Sequence, residues 1–226
     1  MSLEPFADGV WVAHAPQKLL GWQLGTRMTV LRLADGSLLI HSPIELDQAL
    51  KSEIEALGPV GHIVAPNLFH HLYVGGAASA FPDAKLHGAR GLRKKRPDLR
   101  FDAVLGEQPE PSWRGSLETL EIKGSLLEET VFWHRPSRAL VSADLIENFD
   151  GADDWWTRLY LKVGGIDGKI GLSRMLRLAY RNRKQARHDI DALLDWDFER
   201  IVLAHGDPIE SGGAQALREA YHWLKA

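Results

Sequence analysis

"IVAPNLFHHLYVGG", residues 63 to 76, runs from apolar β-branched residues into a Pro66-Asn67 turn and then sets His70 and His71 side by side ahead of Val74-Gly75-Gly76. An apolar run closed by a turn dipeptide reads as a buried strand reaching the edge of a sheet. Imidazoles placed just beyond it either pack or ligate, and the surrounding pattern bears on which. Upstream, "GVWVAHAP" (9 to 16) is β-rich, and "MTVLRLADGSLLIHSP" (28 to 43) reads as two strands joined at Ala34-Asp35-Gly36-Ser37, where Asp-Gly is a hairpin signal. "ELDQALKSEIEALG" (45 to 58) carries apolar residues at 46, 49, 50, 54 and 57, which is helical spacing, and stops at Gly58. Beyond the strand at 61 to 66 the pattern predicts a helix over about 70 to 81 and a strand at "AKLHGA" (84 to 89). Strand, helix, strand at this spacing places helices on the outer face of a sheet.

The second half repeats the scheme. "SLETLEIKG" (116 to 124) alternates, and "EETVFWHRPSRALVSADLI" (128 to 146) reads as a hairpin turning at Arg135-Pro136-Ser137-Arg138, its second strand ending at Asp144. A polar and aromatic segment then carries a long helical pattern from Ser173 to Trp196, before a strand at "RIVLAHGDP" (200 to 208) and a C-terminal helix from Gly213 to Ala226. With no tandem repeat and no low-complexity linker, the expectation is one domain over 1–226 with a helical insertion at about 147–198.

Composition narrows the chemistry. A chain of 226 residues that is 45% hydrophobic can bury a large core. A net charge of −3 exerts no global pull toward nucleic acid or an anionic membrane. The absence of cysteine excludes disulfides, thiolate metal sites and thiol nucleophiles, leaving His, Asp, Glu, Ser or a metal held by N and O donors. The acidic N-terminus and the lack of an 18-residue apolar window predict a cytoplasmic protein that does not enter a membrane. No P-loop, G-x-G-x-x-G or G-x-S-x-G occurs, so nucleotide binding and serine-hydrolase chemistry have no support. The basic stretches at 90 to 100 and 174 to 187 read as solvated faces rather than phosphate contacts, and Trp155-Trp156 as packing for the inserted helices.

Of ten histidines, His14, His87, His134, His188 and His222 have no spacing or neighbour that asks for a special role. Others stand at strand ends: His41 closes "SLLIH", His70 and His71 follow "HIVAPN", Asp144 closes "ALVSAD", and His205 closes "IVLAH". In sheet-based α/β folds such ends converge on one edge. Neutral imidazoles with a carboxylate suit one divalent ion, zinc, iron or manganese. A hydrogen-bonded polar cluster is the alternative for the same residues.

This order of hairpin, helix, His-rich turn before "VGG", hairpin ending in Asp and strand ending in "AHGDP" resembles the metallo-β-lactamase fold along nearly the whole chain. The resemblance implies an αββα sandwich and a turn of the form His-x-His-x-Asp-His before two glycines, which in that family serves a two-metal site. Registered on Val74-Gly75-Gly76, those four positions are Leu68, His70, Leu72 and Tyr73, so only His70 is kept. The family's next histidine falls near Gly124-Ser125, its bridging aspartate is Asp144 and its last histidine is His205. His41 replaces an aspartate, and His71 adds an imidazole the pattern lacks. The chain is similar to uncharacterised members with a "PN-x-x-HH" turn and an "HSP" motif. The reading is a mononuclear hydrolase-like protein, with His70, His71, Asp144 and His205 as metal ligands, His70 and Asp144 catalytic, and His41 and His71 supporting the shell. Its partner would be a small-molecule substrate, with no membrane and no nucleic acid. A non-catalytic binding module and a non-haem iron redox protein are the alternatives. His70 is expected to face Asp144 and His205 from the first turn of the helix at 70 to 81, with His71 at the rim.

Overall fold

The computed structural model describes residues 1–106 and 110–224. Two sheets face each other. The larger has seven strands in the order Glu4–Ala7, Val10–Ala15, Thr26–Arg32, Leu38–His41, Val60–Ala65, Lys85–Gly88 and Ala103–Val104. Its first four strands pair antiparallel and the rest parallel. The smaller runs Leu117–Glu121, Thr130–His134, Ala139–Val141 and Arg200–Val202, with only the last pair parallel.

Three apolar layers account for this stacking, because each sheet buries both faces. Val12, Leu31, Leu39 and Val64 of the large sheet meet Phe132, Val141 and Val202 of the small one. On the far side of the large sheet, Val30, Ile40 and Ile63 pack on Leu50 and Ile54 of the helix Gln48–Leu57 and on Val74 and Ala77 of the helix Val74–Ala80. On the far side of the small sheet, Val131, Leu140 and Ile201 take Ile190 and Leu193 of the helix Arg183–Leu194 and Leu217 of the helix Gly213–Ala220. The result is an αββα sandwich, as the family resemblance implies.

The Asp-Gly hairpin forms as read. Gly36 takes a positive φ of 84°, and Asp35 Oδ1 accepts from the backbone N–H and the hydroxyl of Ser37. Two helical expectations need correction. The helix expected over 70 to 81 begins only at Val74, because Asn67 Oδ1 accepts from the N–H groups of Phe69 and His70 and folds that stretch as a turn. The helical pattern from 173 to 196 divides into Arg174–Arg177 and Arg183–Leu194, each with its own cap from Ser173 and Asn182. The C-terminal helix ends at Ala220, and residues 225 and 226 lie outside the described residues. The expected insertion also holds a two-stranded ribbon, Glu147–Phe149 with Lys169–Gly171, and the helix Trp155–Gly164. No helix among the described residues is long and apolar enough to cross a membrane.

Candidate metal centre

The strand ends do converge. Val60–Ala65 and Leu38–His41 lie side by side in parallel, as do Ala139–Val141 and Arg200–Val202 in the other sheet, so the loops leaving all four meet at one edge. There His70 Nε2, His205 Nε2 and Asp144 come together. The two ring nitrogens are 3.2 Å apart, and Asp144 places Oδ2 3.4 Å from His70 and Oδ1 3.4 Å from His205. These three residues form a group able to hold a metal ion. Two ligand atoms about 2.1 Å from a tetrahedral zinc would sit roughly 3.4 Å apart, so the donor set and its spacing fit such an ion.

Each of the three is aimed by other residues. His205 Nδ1 donates to the Gly25 carbonyl at 2.8 Å, which leaves a neutral His205 with a bare Nε2 toward Asp144. The loop carrying His205 is clamped by buried Arg27, which donates to the carbonyls of Leu203 and Gly206. Gly206 is obligatory here: its φ is +86°, and a Cβ would lie 1.9 Å from the Asn148 carbonyl oxygen. His70 Nδ1 meets the Ser42 hydroxyl at 2.6 Å, with Ser42 held at a φ of 52° beside Pro43. That left-handed backbone costs on the order of 1 kcal/mol in a non-glycine residue and points the hydroxyl at the site. Asn67 Nδ2 donates to Asp144 Oδ2 at 2.7 Å, and Glu129, fully buried behind it, accepts from the backbone N–H groups of Ala143 and Asp144.

The electrostatics follow from crowding. Burial and then the Asp144 charge push the Glu129 carboxyl up to about 8. Burial also opposes ionisation of Asp144, but His70 and His205 overcome it and hold the carboxyl well below the usual range. For His205 burial works against the charged ring, yet its bond to Asp144 prevails and raises it. Without a cation, bare imidazole nitrogens and carboxylate oxygens face one another at contact. Either a proton on His205 or a metal ion relieves that repulsion.

The two remaining predicted residues stand apart from this group. His71 lines the cavity above these residues without joining them, with Arg96 Nη1 3.2 Å from its Nδ1 and donating to its carbonyl at 2.8 Å. Consecutive side chains do not share a face, so with His70 aimed at Asp144 the His71 ring nitrogen meets Arg96. His41 is buried, edge-on to Phe132 at 5.4 Å between ring centres, with Nε2 lacking a hydrogen-bond partner. Burial, and then His70, pull it down to about 3. At the family's missing histidine position, the Ser125 hydroxyl accepts from the Leu127 N–H. Sequence reasoning missed Ser42, Asn67, Glu129 and Gly25. Of these, Asn67 in its turn dipeptide and Ser42 in the "HSP" motif carried a local signal.

A cavity of about 270 Å³ opens over the three residues, walled by Leu19, Trp22, Phe69, Leu72, Met175 and Tyr160. Trp156 packs at its back, stacked on Trp22 and donating to the Leu20 carbonyl at 3.2 Å, while Trp155 is exposed. From the basic stretch at 90 to 100, Lys95 donates to the Leu68 carbonyl and Arg96 holds His71, so both brace the turn.

The sequence model for "Domain of unknown function (DUF4336)" matches residues 7–91. No curated protein matches the sequence. Solved structures match nearly all of the chain. The metallo-β-lactamase from Pontibacter korlensis superposes with a TM-score of 0.64 at 12% identity, over 96% of this chain and 98% of that one. The metallo-β-lactamase from Hirschia baltica does so with 0.63 at 12%, over 100% and 99%. This chain has the metallo-β-lactamase fold. The same fold relates it to the metal-soaked Flv1 flavodiiron core from Synechocystis sp. PCC6803, with a TM-score of 0.64 at 12% identity, over 99% of this chain and 60% of that one.

Proposed function

We propose that this protein is a metal-dependent hydrolase using one divalent ion held by His70, Asp144 and His205. The observation that carries the reading is the convergence of two imidazole nitrogens and a carboxylate at ligand spacing on the floor of a cavity. Such an ion supplies Lewis acidity, polarising a carbonyl or phosphoryl oxygen and lowering the pKa of water. The chain's own residues supply the rest. Ser42, Asn67 and the Gly25 carbonyl orient the donors, and Glu129 fixes the backbone beneath Asp144. The apolar walls exclude water and favour a substrate with an apolar part beside its scissile bond. Burial and then Glu147 raise the Tyr160 hydroxyl well above the usual phenol range, so it keeps its proton and donates to Glu147 at 2.9 Å.

The test is metal analysis of protein purified without a His-tag or chelator, followed by assay of small ester and phosphodiester substrates. About one ion per chain at this site, together with hydrolysis lost in Asp144→Asn, supports the proposal. No metal after loading with zinc, iron or manganese leaves a proton-shared His–Asp cluster and sinks it. A second reading, redox chemistry at a single iron, draws on the flavodiiron core among the similar structures. Iron rather than zinc in the purified protein, with visible absorbance changes on exposure to O₂, would select it.

A further inference from the structure

A second group of two imidazoles and a carboxylate lies away from the strand-end site. His62 and His87 come from adjacent parallel strands, Val60–Ala65 and Lys85–Gly88, and point between the two sheets, where both rings lean on Trp113 at 5.7 and 4.9 Å between ring centres. His62 is 4% and His87 2% exposed. His62 Nδ1 is 3.0 Å from His87 Nε2, and one nitrogen of each ring lies within 4.8 Å of a Glu110 oxygen. A cavity of about 670 Å³ lined by His87, Glu110 and Trp113 reaches the group and shares no lining residue with the cavity over Asp144.

The hydrogen bonds select a reading. Ser112 Oγ donates to Glu110 Oε1 at 3.1 Å and sits 2.9 Å from His62 Nε2. With its single proton given to the carboxylate, the hydroxyl accepts from His62 Nε2–H, which argues against an activated serine and leaves Nδ1 bare toward His87. One proton then bridges two buried ring nitrogens at about the separation of two ligands on one zinc ion. Lys85 pairs with Glu110 at 3.2 Å, but its side chain is 57% exposed and can swing away at little cost.

We propose that His62, His87 and Glu110 form a second divalent-metal site suited to zinc, which ties the two parallel strands to the turn at Pro111–Trp113. The ion takes the place of the shared proton, and His87 then carries its N–H on Nδ1.

Zinc stoichiometry of chelator-stripped, tag-free full-length chain, re-equilibrated with zinc sulfate, tests this. Wild type is expected to hold two ions, His87→Gln one, His205→Gln one, and the double variant none. The proposal is overturned if His87→Gln holds as much zinc as wild type; the strand-end reading fails separately, if His205→Gln does. As a check on folding, Glu110→Gln, which keeps size and shape, should weaken the second ion at least tenfold in the His205→Gln background. Zinc should also raise the Tm of His205→Gln and leave that of the double variant unchanged. An unchanged affinity in Glu110→Gln, or a zinc-dependent Tm in the double variant, counts against the assignment.

Discussion

The two histidine groups are built from the same chemistry in different places. At the strand ends, His70, Asp144 and His205 are carried by loops from both sheets, and backbone carbonyls, a hydroxyl and a carboxamide aim them. Between the sheets, His62 and His87 sit within strands of one sheet and are held by Trp113 and each other. The lesson is about how histidine positions are read. Imidazoles at strand ends announce a shared edge, because loops there meet whatever their sequence separation. Imidazoles within strands announce nothing until register is known. His62 aligns with Lys85 rather than with His87, and only a diagonal contact across the parallel pair brings the two rings together.

The largest effect that would break this comparison is loss of the shared carboxylate. Asp144→Asn removes both a proposed ligand and the charge that raises His205. Since losing a positioning partner typically weakens metal binding 10–100-fold, losing the ligand should exceed about a hundredfold. Equilibrium dialysis with zinc measures it, and NMR titration should show the His205 pKa falling. Retained affinity at the strand-end site would mean that Asp144 only shares a proton.

In chelator-stripped protein, acid should reveal both buried groups. His41 is held near 3 by burial and then by His70, and His87 near 4 by burial and then by His62. For these lowered histidines the unfolded chain binds protons that the folded chain refuses, so stability is full above about 6.5 and falls as the pH drops toward the folded values. Between pH 6.5 and 4 each should cost roughly 3 kcal/mol, read from urea midpoints. His41→Gln should remove about half of that slope; an unchanged slope would show that His41 takes up its proton in the folded state.

Asn67→Ala sharpens the account of positioning. It deletes the donor to Asp144 and leaves the Phe69 and His70 N–H groups without their acceptor. The expected cost is about 2 kcal/mol in chemical denaturation, with zinc affinity down by roughly 10–100-fold. Affinity unchanged at reduced stability would confine Asn67 to the turn. The smallest effect should come from His71→Ala, which removes a cavity-wall side chain whose ring nitrogen meets Arg96. Zinc stoichiometry should stay at the wild-type value. Were metal lost there and kept in His70→Ala, the alignment on Val74-Gly75-Gly76 would be off by one residue.

Local signals along the chain specify the layers and one edge of the fold. Apolar runs at period 2 and 3.6, the Asp35-Gly36 turn and the stop at Gly58 specify strands and helices locally, since those signals act within a few residues. The placement of His70, Asp144 and His205 just past strand ends likewise needs only strand direction. The tertiary structure decided what depends on contacts between distant segments. Asn67 bonds a carboxylate 77 residues away, and His205 a carbonyl 180 residues away. The helix expected at His70 starts at Val74 because a side-chain oxygen satisfies the turn first, and His71, on the cavity wall, meets Arg96. His62 and His87 meet through strand register, which is set by the packing of whole faces and is written in no short stretch of the chain.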